Sequence, residues 1–336
     1  MKILIENSTW NNVGDGWYQF SLYGLMKRLY PEHDIVLGEG PTRRAFRIHN
    51  RRQENNILNL LLYQKADIHI FSGPILCSLL DDYKEAIIRL KNRGEEYALI
   101  SVSGTSLPQN FINEIGNFLI QYPPVFFSTR DEETYTQFSK FIKNTYNGIC
   151  TSFLVDRTLH IDSFELNKKF FISSFYTELE PTYRISPNKK FCIENINLQR
   201  KKNILSLPYK YSRHFEFLRK HQTEIGNHLI VRTIQNLNTK FNHINFAMPN
   251  SFISFNPLSY LKVTKSSEFV ISDRVHACAV ALACGKPARF LFNTPRAGIF
   301  DRMGLDYKSN SGIMYPNNDK IDSEMYLLEK EIKKYI

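Results

Sequence analysis

Short apolar runs alternate with longer amphipathic segments along almost the whole chain. The runs are rich in Val, Ile and Phe and have the length of buried strands, whereas the segments between them have helical periodicity. The predicted strands are residues 2–5, 34–37, 67–71, 97–102, 125–128, 148–154, 169–175, 203–207, 228–231, 243–247, 266–271 and 288–292. The predicted helices are residues 17–30, 56–64, 81–91, 111–121, a segment that ends near 143, 212–221, 275–284 and 321–336.

This alternation occurs in both halves of the chain, and 336 residues are enough for two cores of ordinary size. We therefore predict the α/β class, with two doubly wound, Rossmann-like domains that face each other across a cleft. The N-terminal domain is predicted at residues 1–160 and the C-terminal domain at residues 161–318. A final helix follows at residues 319–336.

Two basic residues lie at a helix start that directly follows a strand, and a purely structural role does not explain both. Arg274 and His276 stand at the start of the helix at 275–284, just beyond the end of a strand, with Ser272 or Asp273 as the N-cap. Ligands bind at this place in open α/β sheets, and a helix N-terminus adds unpaired N–H groups and partial positive charge. The pattern predicts a site for a small anion such as a phosphate or a carboxylate. Taken singly, each residue fits a purely structural role equally well. Arg274 would then bond a neighbouring carbonyl, and His276 would be a semi-buried histidine whose hydrogen bonds are satisfied.

Arg130 lies at the matching point of the first half, where the strand at 125–128 meets the next helix. Thr129 or Asp131 can cap that helix. A guanidinium fork can bind a carboxylate or a phosphate through two parallel hydrogen bonds, so Arg130 is a second candidate anion ligand. The alternative is an arginine held by the carboxylates of residues 131–133.

Two turns at strand ends are further candidate ligand loops. Residues 11–16 contain two glycines, and Asp15 within them is either an N-cap or a group that points into the cleft. Ser103 to Thr105 form either a ligand-facing loop or a plain turn. The basic stretch 41–52, with five arginines, is interpreted first as a solvated loop and second as a surface that steers an anion.

The net charge of +10 fits a plain basic surface, an anionic substrate, an acidic membrane surface or nucleic acid. Because the cations are spread out and no compact nucleic-acid motif occurs, we favour anionic substrates and expect no nucleic-acid partner. We also expect peripheral contact with lipid-linked intermediates at the inner membrane face.

The number of cysteines and the lengths of the apolar runs indicate the cellular compartment of the protein. The five cysteines show no C-x-x-C spacing, and an odd number favours reduced thiols in the cytosol. No run of eighteen apolar residues occurs, and the first residues read as a strand rather than a signal peptide. We therefore expect a cytoplasmic protein.

The C-terminal pattern resembles the signature of the polysaccharide pyruvyl transferase family. The matching residues are Ser272, Arg274, His276, Ala277, Ala281, Gly285 and Pro287. Residues 256–261 resemble the family's short helix before the strand, and residues 296–305 resemble its tail, with Arg296 in place of the usual Lys. In the first half the N-x-G-D and R-D motifs match at Asn12, Gly14, Asp15, Arg130 and Asp131.

Two family motifs are degraded in this chain. The usual glycine-rich turn after the third strand retains only Gly73. The usual P-D-x-A-F segment is replaced by residues 150–153, Cys-Thr-Ser-Phe, which lack the acid. Whatever that acid does must be absent or supplied elsewhere.

The resemblance implies a GT-B-like fold in which residues 319–336 pack back on the N-terminal domain. It also implies an activity: the enolpyruvyl group of phosphoenolpyruvate (PEP) is placed on a hydroxyl pair of a sugar in a surface polysaccharide or its lipid-linked precursor. The product is a pyruvate ketal, and phosphate is released. The N-terminal domain would face the acceptor and the C-terminal domain the donor. We expect neither a metal nor a cofactor.

The resemblance also assigns roles to the motif residues. Donor binding falls to Arg130, Arg274, Val275 and His276. His276 is in addition the candidate general acid or phosphate-stabilising group, because the pKa of imidazole lies near working pH. Asp15 is the candidate general base. The acceptor-side loops contain Asn12, Gly14, Asp15, Ser103 and Thr105.

Two other functions fit parts of the pattern. A GT-B glycosyltransferase that uses a nucleotide sugar would suit residues 281–287, but such enzymes place a ribose-binding Glu where this chain has Val280. A non-catalytic glycan-binding relative is compatible with the degraded motifs.

Overall fold

The computed structural model describes residues 1–7, 12–43, 56–199, 220–235, 237, 246–309 and 311–336. Four predicted features lie wholly or mostly outside these residues. They are the strands at 203–207 and 243–247, the helix at 212–221 and the basic stretch 41–52.

The first half of the chain forms a six-stranded sheet in which every strand is parallel to its neighbours. Its elements in chain order are β1 (Lys2–Ile5), α1 (Val13–Leu29), β2 (Asp34–Leu37), β3 (Ile68–Gly73), α2 (Lys84–Asn92), β4 (Glu96–Val102), α3 (Gln109–Gln121), β5 (Phe126–Thr129), α4 (Glu132–Phe138), β6 (Thr145–Asn147) and α5 (Val155–Thr158). The strand order is β2-β1-β3-β4-β5-β6.

Helices cover both faces of this sheet, as the alternation along β4 shows. Ala98 and Ile100 point into the core on the side of α1, whereas Tyr97 and Leu99 point into the core formed with α2 and α3. Strands buried on both faces read as continuous apolar runs, which is why the sequence pattern found them. The first five predicted strands are confirmed to within two residues at each end.

Helix α1 begins at Val13, four residues before the predicted start, with Asn12 as its N-cap. The prediction of a loop at residues 11–16 is therefore wrong from residue 13 onward, since Gly14 and Asp15 belong to the first helical turn. Packing overrides the low helix propensity of the two glycines: 11 of the 17 residues of α1 are buried.

The strand predicted at residues 148–154 is also wrong. The sheet strand is β6, and the chain then forms a 3₁₀ turn at Thr151–Leu154 that continues into α5. This turn is completely buried, and the Thr151 hydroxyl donates a hydrogen bond to the Tyr18 carbonyl (2.9 Å). An apolar run that is buried on all sides cannot be told from a strand by its sequence pattern.

The second half forms a seven-stranded sheet and a separate antiparallel pair of strands. Its elements in chain order are β7 (Phe170–Ser174), β8 (Thr182–Ile185), β9 (Ile196–Gln199), β10 (Glu224–Ile225), β11 (His228–Thr233), β12 (Ser251–Phe252), α6 (Pro257–Ser266), β13 (Val270–Ser272), α7 (Val275–Ala283), β14 (Ala288–Phe290), β15 (Ile313–Met314) and α8 (Asn318–Tyr335). The order is β10-β11-β7-β13-β14-β15, with β12 beside β11. β10 and β15 are antiparallel edges, and the other strands are parallel.

Three other predicted elements are shorter or displaced. The strand predicted at 266–271 starts only at Val270, because α6 continues to Ser266. The helix predicted at 56–64 is a single 3₁₀ turn, Leu60–Leu62, and the helix predicted to end near 143 stops at Phe138. Boundaries of short elements depend on which residues are packed, and the sequence alone does not show this.

Helices α1 and α8 both make contacts between the two halves. The Trp17 indole N–H donates to the Pro257 carbonyl (3.0 Å), and its ring lies 6.3 Å from Tyr260, so α1 packs on α6. Tyr335 of α8 stacks on Phe126 at 5.4 Å. The domain boundaries at 160 and 318 stay a prediction. Within the part of the chain that the structure describes, no helix is long and apolar enough to cross a membrane.

Candidate functional site

The start of α7 is shaped by hydrogen bonds from side chains to the backbone. Arg274 is itself the N-cap residue, and its N–H donates to the Ser272 hydroxyl (2.8 Å). The carboxylate of Asp273 instead accepts hydrogen bonds from the N–H groups of residues 176–178, at 2.5–3.1 Å. The prediction that Ser272 or Asp273 is the N-cap is therefore wrong, and Asp273 serves to fix the loop after β7.

Arg274 links the two halves of the molecule. Its guanidinium donates to the Asn12 side-chain carbonyl, and the Asn12 amide donates to Asp15 Oδ1 (3.2 Å). The guanidinium also lies 5.0 Å from the centre of the Tyr176 ring. Burial lowers the pKa of Arg274, and the carboxylates of Asp273 and Asp15 oppose this shift. An arginine keeps its proton at any working pH, so a fixed positive charge stands at this point.

His276 lies against α1. A Cβ atom added to Gly14 would come within 2.9 Å of His276 Nδ1, so only glycine allows this approach. On the other side, Arg130 Nη1 is 3.3 Å from His276 Nε2. A guanidinium can only donate, so Nε2 accepts this hydrogen bond and the ring proton is assigned to Nδ1.

The surroundings of His276 favour its neutral form. Burial, followed by the charges of Arg130, Arg274 and Arg296, holds the pKa of His276 well below its usual value of 6.5. The imidazole is therefore uncharged at neutral pH in the protein without ligand. An anion that offsets these arginine charges would raise the pKa again.

This pKa shift predicts a pH dependence of stability. The unfolded chain takes up the His276 proton near pH 6.5 while the folded protein does not, so stability is lost as the pH falls below that value. We expect the wild type to lose up to about 1.4 kcal/mol per pH unit more than His276→Gln in the free energy of unfolding. Urea unfolding of both proteins between pH 8 and pH 5 measures this difference. Equal pH slopes would contradict the assignment.

Arg130 follows β5 directly and is only 4% exposed. The next residue, Asp131, is the N-cap of α4 and accepts from the Thr134 N–H (2.9 Å), which confirms one of the two predicted caps. The neighbouring Glu133 accepts from the Ser106 N–H. Arg130 Nε has no hydrogen-bond partner within the described ranges. Because the carboxylates act elsewhere, the alternative of an arginine clamped by residues 131–133 is not supported.

A third arginine acts on the same place. Arg296 is an exposed residue of the 3₁₀ turn Pro295–Ile299, and its charge lowers the pKa of both Arg274 and His276. Gly298 of this turn faces Asp131, since a Cβ atom there would lie 3.6 Å from the Asp131 Cβ. The charges of three arginines from three segments therefore act on one histidine, next to the starts of α1 and α7.

The sequence matches the family model described as polysaccharide pyruvyl transferase over residues 12–293. That range covers most of the chain and includes both motifs that meet at the site. The chain belongs to the polysaccharide pyruvyl transferase family. Membership makes it a transferase of polysaccharide biosynthesis and confirms the resemblance identified from the sequence.

The fold is shared with UDP-N-acetylglucosamine 2-epimerases, which have the GT-B architecture. One such epimerase has a TM-score of 0.53 at 12% identity, with 98% of this chain and 94% of that chain covered. The Neisseria meningitidis enzyme bound to UDP-GlcNAc has a TM-score of 0.52 at 12% identity, with coverages of 99% and 100%. S. aureus MnaA with UDP has a TM-score of 0.50 at 9% identity, with coverages of 99% and 97%. Identities this low show the fold alone, and they confirm the predicted GT-B-like architecture. No curated protein matches the chain.

The residues that the sequence assigned to a polysaccharide pyruvyl transferase site fall into two groups: those that the fold brings together, and those in a neighbouring turn. Asn12, Gly14, Asp15, Arg130, Arg274 and His276 are brought together, and Val275 is the first residue of α7 beside them. Ser103 and Thr105 follow β4 in the neighbouring turn. The Ser103 N–H donates to the Gly73 carbonyl (3.0 Å), and no described contact joins either residue to the arginines.

The two degraded family motifs have structural counterparts. Gly73 has a φ of +80°, and a Cβ atom there would come within 2.2 Å of the Tyr18 hydroxyl oxygen. Cys150, in the segment that lacks the family's acid, is completely buried with its thiol 3.0 Å from the Ser152 hydroxyl. The missing acid is therefore not replaced by a charged group at this point.

Two residues of the site were not found from the sequence. Tyr18 contacts His276 with its ring, and Tyr176 stacks on Arg274. For Tyr18 a signal existed: it lies four residues after Gly14 and so on the same face of a helix that starts at residue 13. For Tyr176 we find no such signal. No group of three or more His, Cys, Asp or Glu side chains that could hold a metal occurs within the part of the chain described above.

Proposed function

We propose that the chain transfers the enolpyruvyl group of PEP to two hydroxyls of one sugar, forming a pyruvate ketal and releasing phosphate. The acceptor is a surface polysaccharide or its lipid-linked precursor. One observation carries the proposal: Arg130 and Arg274, from opposite halves of the molecule, reach the same histidine-containing place. PEP bears a carboxylate and a phosphate, so it needs two cations held apart in this way.

The reaction requires three kinds of group. The methylene carbon of PEP gains a proton while one sugar oxygen bonds to C2, and the second sugar oxygen then bonds to C2 as the bond to phosphate breaks. Of the two hydroxyl protons released, one balances the proton now on carbon and the other leaves with phosphate. A proton donor, a proton acceptor and fixed positive charge are therefore sufficient.

His276 is proposed as the proton donor. It is neutral without ligand because Arg130 donates to its Nε2 and nearby arginines disfavour a further charge. A bound dianion would take up the hydrogen bonds of Arg130 and offset its charge, so the imidazole would gain its proton only when the donor is present. Val275 and His276 supply N–H groups at the start of α7 for the same anion.

Asp15 is proposed as the general base, and Asn12, Gly14, Ser103 and Thr105 as the acceptor side. Asp15 is 8% exposed and accepts from the Asn12 amide, which holds Arg274 in turn. A base so placed would be coupled to the arginine that binds the donor. The function as a whole needs neither a metal nor a cofactor in this proposal, and no nucleic acid. A cytoplasmic location, with peripheral contact to the inner membrane face for lipid-linked acceptors, belongs to the same proposal.

The alternative of a nucleotide-sugar glycosyltransferase is less well supported. The structural neighbours are described with UDP or UDP-GlcNAc, which gives that alternative its weight. Against it, Val280 is completely buried in an apolar cluster with Trp17 and Tyr260. A side chain at this position faces α1 and α6, so it is not placed to bind a ribose.

Thermal unfolding with candidate donors tests the proposal. PEP at a hundredfold excess over its dissociation constant should add about 2.7 kcal/mol of stability, which raises the melting temperature by several degrees. UDP-GlcNAc and GDP-sugars should have no effect at the same concentrations. Arg274→Lys, as the matched variant, should shift less with PEP. Stabilisation by a nucleotide sugar without any by PEP would overturn the proposed donor.

A further inference from the structure

Tyr18 lies one helical turn after Gly14 in α1, so both residues face the same way. Its ring is 5.4 Å from the His276 imidazole, with an interplanar angle of 61°. The guanidinium carbon of Arg130 lies 6.0 Å from the centre of the same ring. One buried side chain therefore contacts both members of the hydrogen-bonded pair that joins the two domains.

The Tyr18 ring is itself held from several directions. At its hydroxyl end, Gly73 approaches so closely that a Cβ atom would come within 2.2 Å of the Tyr18 oxygen. The Tyr18 carbonyl accepts from the Thr151 hydroxyl, and the Thr151 N–H donates to the Ser101 hydroxyl (3.1 Å). Two degraded family motifs therefore contact Tyr18. Gly73 is the remaining glycine of the first motif, and Thr151 belongs to the segment that lacks the family's acid.

We infer that Tyr18 is a positioning residue: its ring holds the His276 imidazole and the Arg130 guanidinium in the mutual orientation in which both reach one bound anion. Nothing in the family signature used above includes this position. The inference rests on the proposed pyruvyl transfer, because orientation matters only if His276 acts on the substrate. Its structural part, that the ring fixes the imidazole, can be tested without any substrate.

The contact geometry explains why a ring is needed. Gly14 leaves one side of the imidazole against backbone, and the Tyr18 ring covers another side in an edge-to-face arrangement. A flat aromatic surface limits rotation of the imidazole and attracts the Arg130 cation through its π electrons. An aliphatic side chain fills the volume but offers neither restraint. Misplacing a catalytic group by about 1 Å can slow a reaction by up to about a hundredfold.

The test compares Tyr18→Leu, Tyr18→Phe and Tyr97→Leu. Tyr97→Leu is the matched control, since Tyr97 is an equally buried tyrosine near the amino end of β4, where its hydroxyl donates to the Tyr122 carbonyl. We expect Tyr18→Leu to lower kcat about tenfold with KM for PEP changed less than about threefold. Tyr18→Phe keeps the ring and should stay within about twofold of wild type, and Tyr97→Leu should keep wild-type kcat.

Two kinetic results would overturn the inference. An equal loss in Tyr18→Phe would assign the effect to the hydroxyl, and an equal loss in Tyr97→Leu would make it general structural damage. NMR of the ligand-free protein provides the independent measurement, because loss of the Tyr18 ring current and of the restraint should move the His276 ring resonances. Tyr18→Met serves the same purpose if Tyr18→Leu does not fold. If the wild type fails to use PEP, the proposed function is wrong. If the His276 resonances are unchanged in Tyr18→Leu, the positioning role itself is wrong.

Discussion

Replacing His276 with Gln is expected to lower the rate of pyruvyl transfer by about two to four orders of magnitude. Gln keeps the polarity and approximate size of the side chain but removes the group that can gain and lose a proton. PEP affinity should stay nearly unchanged, because the two arginines that carry the fixed charge are still in place. This combination, lost rate with kept affinity, is typical of a group that acts in the chemical step.

The measurement is the single-turnover rate beside PEP affinity by calorimetry. His69→Gln is the matched control: His69 is 1% exposed, burial also lowers its pKa, and it pairs with Glu95 (2.8 Å) rather than with Arg130, Arg274 or Arg296. It should turn over at the wild-type rate per folded molecule. If His276→Gln also did so, His276 would be a structural or binding residue, and the proton donor would have to be sought at Asp15 or at a bound water.

Replacing Arg274 with Lys is expected to weaken PEP binding by about one to two orders of magnitude. Lys keeps the positive charge but loses the planar fork that holds Asn12 and can meet an oxyanion through two parallel bonds. Loss of one charge-assisted hydrogen bond costs about 1.5–3 kcal/mol, which corresponds to this range of affinity. The loss of the contact with Tyr176 acts in the same direction.

Calorimetric titration with PEP measures this affinity, and Arg289→Lys is the matched control. Arg289 lies in the same domain and also uses its fork, but it donates to the Ser311 and Ile196 carbonyls (2.7 and 2.8 Å) rather than to site residues. The control should bind PEP as the wild type does, with some loss of stability. Unchanged affinity in Arg274→Lys would mean that Arg274 serves the contact between the domains and not the donor.

The sequence pattern identified residues that the fold brings together better than it identified the local structure. Arg274 and His276 were singled out because they follow a strand end at a helix start, and Arg130 because it does the same in the other half. The structure brings these three residues together with Asn12, Gly14 and Asp15. Their roles in donor binding and proton transfer stay predictions.

The errors have a common cause. The early start of α1, the buried turn at 151–154 and the late start of β13 all occur where packing against other elements overrides local preference. Asp273 was expected to cap α7 but binds the loop at 176–178, a partner about a hundred residues away in sequence. Local rules describe what a residue can do next to its neighbours in the chain, and such partners are not among those neighbours.

By itself the sequence determined the α/β class, the two-domain GT-B-like plan and the family, because apolar periodicity and short motifs are local properties of the chain. Only the tertiary structure decided how the motifs meet. Asn12 and Arg274 are 262 residues apart yet joined by a hydrogen bond. The burial and arginine charges that lower the pKa of His276 also arise only on folding, as do the close approaches of Gly14 to His276 and of Gly73 to Tyr18. Electrostatic and steric contacts act over a few ångströms in space, whatever the separation along the chain, and so a pattern of neighbouring residues does not give their geometry.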